Sequence, residues 1–188
     1  MKNLVFIDTE TTGLSPFNHQ IIQLSAITSI DSNEYTFDQY VMLSDGEIIT
    51  NSNIHNITID VLNNNNAMSF IVVFNQFKDW IQLYYSNDED IYFVGHNVFT
   101  FDMRFIEVSC RRYSITIPQN WIFVDSLVQF RKYNSNLECD NFKLITLYNY
   151  LKDDSIEIEG ELHNSLTDCK ILQYVYNKLT NNFSLKIK

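Results

Sequence analysis

The stretch Phe6-Ile7-Asp8-Thr9-Glu10-Thr11-Thr12-Gly13-Leu14 decides how the rest of the chain is read. Leu4 to Ile7 is a short apolar run biased toward β-branched residues, which reads as a buried strand. It ends on two carboxylates spaced i and i+2, and strand geometry puts such a pair on one face. Like charges held at the end of an apolar strand repel each other, and burial adds to the cost. A divalent cation relieves both penalties, and hard carboxylate oxygens suit Mg²⁺ or Mn²⁺. Asp-x-Glu by itself is the ordinary pattern of a polar turn after a strand; the Thr-Thr-Gly-Leu continuation sets this stretch apart.

Outward from it, Ile21 to Ile30 and Tyr35 to Leu43 read as two more strands joined by a turn at Asp31, Ser32 and Asn33. Three early strands so close together form an antiparallel meander. Helical spacing follows over Met68 to Tyr85, where Phe70, Val73, Phe74, Phe77, Ile81 and Tyr84 share a face. Ile91 to Val94 and Trp121 to Val124 are strands. Phe101 to Tyr113, Phe142 to Leu151 and Ser165 to Leu179 are helices, and Asp125-Ser126 reads as the cap of a further one. The second half alternates strand and helix, as parallel strands with crossovers require. The fold class is therefore α/β, with a mixed sheet that is antiparallel over its first three strands and parallel later. The run Asn63 to Asn66 reads as a loop.

Composition bounds the rest. The chain has 188 residues with a formal charge of −10, 45% hydrophobic residues, 4 Gly and 2 Pro, which excludes disordered and linker-rich architectures. That length reads as one domain spanning 1–188 with its core at about 4–180, and leaves no room for a polymerase or helicase. Cys110, Cys139 and Cys169 lie far apart without a CxxC pair, so neither a disulfide framework nor a zinc ribbon is expected. No apolar run approaches the ~18 residues that cross a bilayer. A soluble intracellular protein of the cytoplasm, nucleoid or nucleus, with no membrane partner, is expected. The negative charge argues against holding nucleic acid on a broad basic surface.

Two further segments carry polar groups where predicted strands end and helices begin. Gly95-His96-Asn97-Val98-Phe99-Thr100-Phe101-Asp102 runs from a strand into a helix. His163-Asn164-Ser165-Leu166-Thr167-Asp168 leads into the last helix. Alone, Asp102 reads as a helix cap and His163 as a surface residue. Together the three segments offer four carboxylates and a histidine at ends that can converge on one edge of a parallel sheet, where α/β sites lie.

In this combination the chain resembles the DEDDh (DnaQ-like) 3′-to-5′ exonucleases of the ribonuclease-H-like superfamily, from Val5 to about Leu179. FIDTETTGL is similar to that family's first motif, GHN…FD to its second and H-x4-D to its third. His55-Asn56-Ile57-Thr58 is similar to its HGIT stretch, and Val124-Asp125-Ser126-Leu127 to the step between motifs two and three. The resemblance implies a ribonuclease-H-like mixed five-stranded sheet flanked by helices. It implies two Mg²⁺ or Mn²⁺ ions per site on Asp8, Glu10, Asp102 and Asp168, with His163 as general base. It also implies contacts to the terminal nucleotide from Thr11, Leu14, His55 and Asn97; separately, the aromatic rings of Phe17, His19 and Phe99 are candidates to stack on bases. Asn164 stands where a sister subclass has Tyr, which favours the histidine subclass. Asp125 is read as a cap beside the site and not as a ligand.

Three residues separate Asn97 from Phe101, one more than the commonest spacing, as in Trex-type enzymes, and Gln23 replaces a frequent Glu. The activity implied is metal-dependent 3′-to-5′ hydrolysis of DNA at single-stranded or frayed ends, releasing nucleoside 5′-monophosphates, in proofreading, repair or salvage. The alternatives are an RNA-trimming exonuclease of the RNase T kind and a non-catalytic exonuclease-fold module that recruits a polymerase or other protein. Arg111, Arg112, Arg131, Lys132 and Lys143 are the candidates for a local basic patch. The acidic residues Asp153, Asp154, Glu157, Glu159 and Glu161 read as a solvated loop before His163.

Overall fold

A computed structural model describes residues 3–133, 137–153 and 158–182; Asp154 and Glu157 lie outside the described residues. Five strands form one sheet in the order β3-β2-β1-β4-β5. They are β1 (Asn3–Thr11), β2 (Ile21–Ile30), β3 (Asn33–Tyr40), β4 (Ile91–Gly95) and β5 (Trp121–Asp125). β1 pairs antiparallel with β2 and parallel with β4, β2 pairs antiparallel with β3, and β4 pairs parallel with β5. The antiparallel-then-parallel sheet expected from the sequence is the one observed.

Alternation along β1 sorts its side chains. Val5 and Ile7 enter a core with Phe70, Val73, Phe74, Phe77 and Ile81 of α3 (Phe70–Gln82) and Phe105, Ile106 and Cys110 of α4 (Asp102–Arg112). Phe6 enters a second core with Phe130 of α5 (Ser126–Tyr133), Leu147 and Tyr148 of α6 (Leu144–Leu151) and Ile171, Leu172, Val175 and Tyr176 of α7 (Ser165–Asn182). The period-2 pleat therefore sends Asp8 and Glu10 toward the α7 side and Thr9 toward the α4 side.

Several boundaries differ from the sequence reading: β3 ends at Tyr40 and not Leu43, and α3 runs over Phe70–Gln82, shorter than Met68 to Tyr85. β1 does not stop at Ile7: its ladder with β2 continues through Asp8↔Ser25 and Glu10↔Gln23, with a bulge between Glu10 and Thr11. The first hairpin turns on two residues, because Asp31 (φ 50°) and Ser32 (φ 67°) both adopt left-handed conformations and Asn33 already pairs with Ile30. Two short helices, α1 (Ser52–His55) and α2 (Ile59–Asn64), were not expected, and the second takes in Asn63 and Asn64. The Thr58 side chain accepts from the Val61 N–H and starts that second helix, and Asn66 at φ 52° follows its end. Cys110, Cys139 and Cys169 are all free. No described helix is long and apolar enough to cross a membrane.

Candidate active site

Asp8 and Glu10 stand on β1, the central strand, and Asp168 lies in the first turn of α7. A carboxylate oxygen from each lies within 4.8 Å of the others. The start of α7 is fixed by Asn164, whose Oδ1 accepts from the N–H groups of Leu166 at 3.2 Å and Thr167 at 3.3 Å. The residue noted in the sequence for not being Tyr is thus a helix cap. Ser165 extends the anchorage: its hydroxyl meets that of Ser25, and its N–H donates to Gln23 Oε1 at 3.4 Å. Gln23 Nε2 in turn donates to Asp38 Oδ1 at 2.9 Å, so residue 23 joins β2, β3 and α7.

Asp102 approaches from the other face of the sheet and is not part of the 4.8 Å group, though its charge acts on Asp8 and Glu10. It is buried in the first turn of α4, and its Oδ1 accepts from the Thr9 N–H at 3.0 Å and the Thr9 hydroxyl at 2.7 Å. Thr9 was missed in the sequence; its signal was a hydroxyl-bearing, β-branched residue between two acids on an otherwise apolar strand. Asp125 holds the motif-two loop, accepting from the N–H groups of Asn97 at 3.1 Å and Phe99 at 3.3 Å, and from Leu127 and Val128 at the start of α5. It acts as a cap, as the sequence suggested.

Electrostatics set these carboxylates apart from ordinary surface acids. Burial, then the charges of Asp102, Asp168 and Glu10, hold the Asp8 carboxyl well above its ordinary range. Burial and the charges of Asp168 and Asp102 push Glu10 up to about 8. Burial pushes Asp102 to about 6 against the opposing hydrogen bonds from Thr9. Asp168 is pushed to about 6 by burial, offset by the neighbouring His163. No described Lys or Arg forms an ion pair with any of the four. An all-oxygen donor set without a cationic side chain fits a hard divalent cation.

His163 is exposed and precedes the α7 cap in a left-handed conformation at φ 61°, uncommon for a residue with a side chain. It shares a cleft with Asp168, Leu162, Lys143 and Leu144. His55 is buried, and burial, joined by the charge of His163, holds its imidazole below the ordinary value against the hydrogen bond to the Thr11 carbonyl. His55 Nδ1 accepts from the Ile57 N–H at 3.0 Å, which leaves Nε2–H to donate to the Thr11 carbonyl at 3.2 Å. Both His55 nitrogens and the Thr11 carbonyl are thereby committed to the protein, and the two residues brace the end of β1. Leu14 is 76% exposed and Phe17 74% exposed on the loop that follows. His19 does not present a free ring. It lies on Gly13, where a Cβ would come within 2.4 Å of its Nε2, and its Nδ1 accepts from the Ser15 N–H. Asn97 turns the loop after β4 at φ 66° and lines a cleft with His96, Arg131 and Lys143.

The exonuclease family RNase_T matches residues 5–176. The chain belongs to this family. Among curated relatives, an exonuclease of Arabidopsis thaliana named DPD1, chloroplastic/mitochondrial, is 29% identical over 189 residues, covering 100% of this chain and 59% of that protein. DNA polymerase III PolC-type of Staphylococcus haemolyticus is 28% identical over 180 residues, covering 93% of this chain and 11% of the polymerase. The chain thus spans about three fifths of the first relative and a small part of the second. Among solved structures, the nuclease domain of 3′hExo, a DEDDh family member bound to rAMP, superposes with a TM-score of 0.73 at 20% identity, covering 96% of this chain and 92% of that one. E. coli exonuclease I in complex with a dA16 oligonucleotide superposes with a TM-score of 0.77 at 15% identity, covering 96% and 41%. The ribonuclease-H-like fold expected from the three motifs is shared with these solved structures, and the domain is an exonuclease domain of the RNase_T family.

Proposed function

We propose that this exonuclease domain removes nucleotides from the 3′ end of DNA, at single-stranded or frayed termini, by divalent-metal-dependent hydrolysis that releases nucleoside 5′-monophosphates. One observation carries the reading: Asp8, Glu10 and Asp168 present oxygens within 4.8 Å of one another, with His163 beside Asp168. Asp8, Glu10, Asp102 and Asp168 would hold the divalent ions, which when bound supply charge stabilisation at the phosphate and lower the pKa of the attacking water.

The chain's own groups do the rest. His163 accepts the proton of that water as it attacks in line. Thr9 holds Asp102 through its Oδ1, so the opposite oxygen is the one left to serve the site. The exposed Leu14 side chain covers the terminal base, the end of β1 at Thr11 braced by His55 supports the terminal nucleotide, and Asn97 flanks it from the motif-two loop. Two divalent ions also relieve the mutual repulsion of the four acids, so folding and loading reinforce each other.

A second reading keeps the chemistry and changes the strand. The 3′hExo structure holds rAMP, which supports an RNA-trimming enzyme with the same site. The DNA reading draws on the PolC-type polymerase relatives and on the oligonucleotide in the exonuclease I structure. The experiment is parallel degradation of 5′-labelled DNA and RNA strands of one sequence, with Mg²⁺, Mn²⁺ or chelator. Ladders shortened from the 3′ end on DNA, absent with chelator and absent in Asp8→Ala, support the proposal. Preferential loss of RNA would move the assignment to the second reading. No turnover on either, with intact Mn²⁺ binding, would leave a module that recruits a polymerase or other partner.

A further inference from the structure

The substrate is a polyanion, while the chain carries a formal charge of −10 and sets the carboxylates of Asp8, Glu10 and Asp168 within 4.8 Å of one another. Some cationic feature must guide the strand past that field. The described cations are not equivalent in this respect. Arg104 and Arg111 both face Glu107 on α4, and Lys178 pairs with Asp153. Arg112 donates to the Phe17 carbonyl at 3.4 Å, and Lys152 lies over the Tyr148 ring.

Lys143 stands apart because it lines two clefts. One contains His163 and Asp168, and the other contains His96, Asn97 and Arg131. The two clefts therefore meet at Lys143, which joins the hydrolytic centre to a cleft bearing a second exposed cation. Among the described residues no carboxylate pairs with Lys143 or Arg131. The wall carrying Lys143 is also fixed in place. His96 is held between the Ser126 hydroxyl at 3.0 Å on Nδ1 and the Phe142 carbonyl at 2.9 Å on Nε2, and Phe142 immediately precedes Lys143. The Lys143 N–H donates to Asn141 Oδ1 at 2.9 Å, which closes the turn into α6.

We infer that the cleft from His163 and Asp168 past Lys143 to Asn97 and Arg131 is the track for the substrate strand, with Lys143 and Arg131 gripping non-scissile backbone phosphates. This rests on the nuclease reading of the site and assigns it a direction of approach. Phosphate contacts of this kind position a strand without reading its sequence, and each contributes about 0.7 to the slope of log affinity against log salt on single strands.

The test separates binding from turnover. Affinity for a fluorescent single-stranded DNA 12-mer is measured by anisotropy with Ca²⁺ across a salt series. kcat and KM are measured with Mg²⁺ on the same 12-mer and on the p-nitrophenyl ester of thymidine 5′-monophosphate, which has no non-scissile phosphate. Lys143→Gln and Arg131→Gln are each expected to weaken 12-mer binding by about 2- to 5-fold and to lower the salt slope by about 0.7. The loss should appear in KM, be larger on the 12-mer than on the ester, and be absent in Lys78→Gln, which removes the same charge from α3 and lines neither cleft. An unchanged salt slope in both variants overturns the inference while leaving the nuclease reading intact. An equal loss on ester and 12-mer also overturns it, by placing the two cations at the reacting phosphate or on the departing monophosphate. A wild type that binds the 12-mer along these residues but hydrolyses nothing overturns the nuclease reading and leaves the track standing.

Discussion

Lowering the pH from 8 to 6 should strip the site of metal, and the structure sets the size of the effect. Glu10 is held at about 8 by burial and the charges of Asp168 and Asp102, and Asp102 and Asp168 are held at about 6 chiefly by burial, all of which disfavours their charged forms. A metal ion must displace the protons these groups hold. Glu10 goes from half ionised at pH 8 to about 1% ionised at pH 6, which alone weakens affinity about 50-fold, and half-protonation of the two aspartates brings the loss to about 200-fold. At pH 7 binding should release about one proton from these three groups, with the raised Asp8 adding to it. Calorimetric titration with Mn²⁺ in two buffers of different ionisation enthalpy counts those protons directly. The sign for stability follows from the same shifts. Carboxyls raised on folding favour the folded state below their unfolded values near 4, and that advantage is lost as pH rises through about 8. The melting temperature of metal-free protein should therefore fall from pH 5 to 8.5, and added Mn²⁺ should raise it most at the alkaline end. Affinity independent of pH, with no proton release, would refute the electrostatic account of the site.

Asp8→Asn removes one of the repelling charges. Metal-free protein at pH 8 should melt at a higher temperature, because burial and the neighbouring acids disfavour the ionised Asp8 carboxyl, while strand hydrolysis disappears; calorimetry and a gel assay read both. His163→Ala should lower kcat by about 10²- to 10⁴-fold and leave Mn²⁺ stoichiometry unchanged by titration, because the exposed ring acts on the water. His55→Ala leaves the Thr11 carbonyl and the Ile57 N–H without their partner, and buried groups so deprived cost about 1–3 kcal/mol, read as a lower denaturant midpoint. Gly13→Ala places a Cβ 2.4 Å from His19 Nε2. It should displace the Leu14–Phe17 loop and raise KM for short DNA strands while Mn²⁺ affinity holds.

Resemblance to an exonuclease family supplied the five candidate site residues, whereas the sequence by itself determined the five strands, the longer helices and the mixed sheet. These follow from local physics: the period-2 run of β1 carries Asp8 and Glu10 on one face, and the helical spacing of Phe70, Val73, Phe74, Phe77 and Ile81 makes one buried stripe. It also carried the acid at 125 as a cap, since an Asp-Ser step after a strand starts a helix. Tertiary structure decided how far β1 runs, because its length is set by the ladder with Ser25 and Gln23 and not by its own composition. It decided that Thr9 clasps Asp102 from the opposite face of the sheet, that Asn164 and Gln23 fix the start of α7, and that His96 ties the wall bearing Lys143 to the end of β4. Each of those contacts joins residues that are neighbours only after the sheet has formed. Spacing along the chain encodes which way a side chain points from its own backbone, whereas what it meets there depends on chain segments tens of residues away.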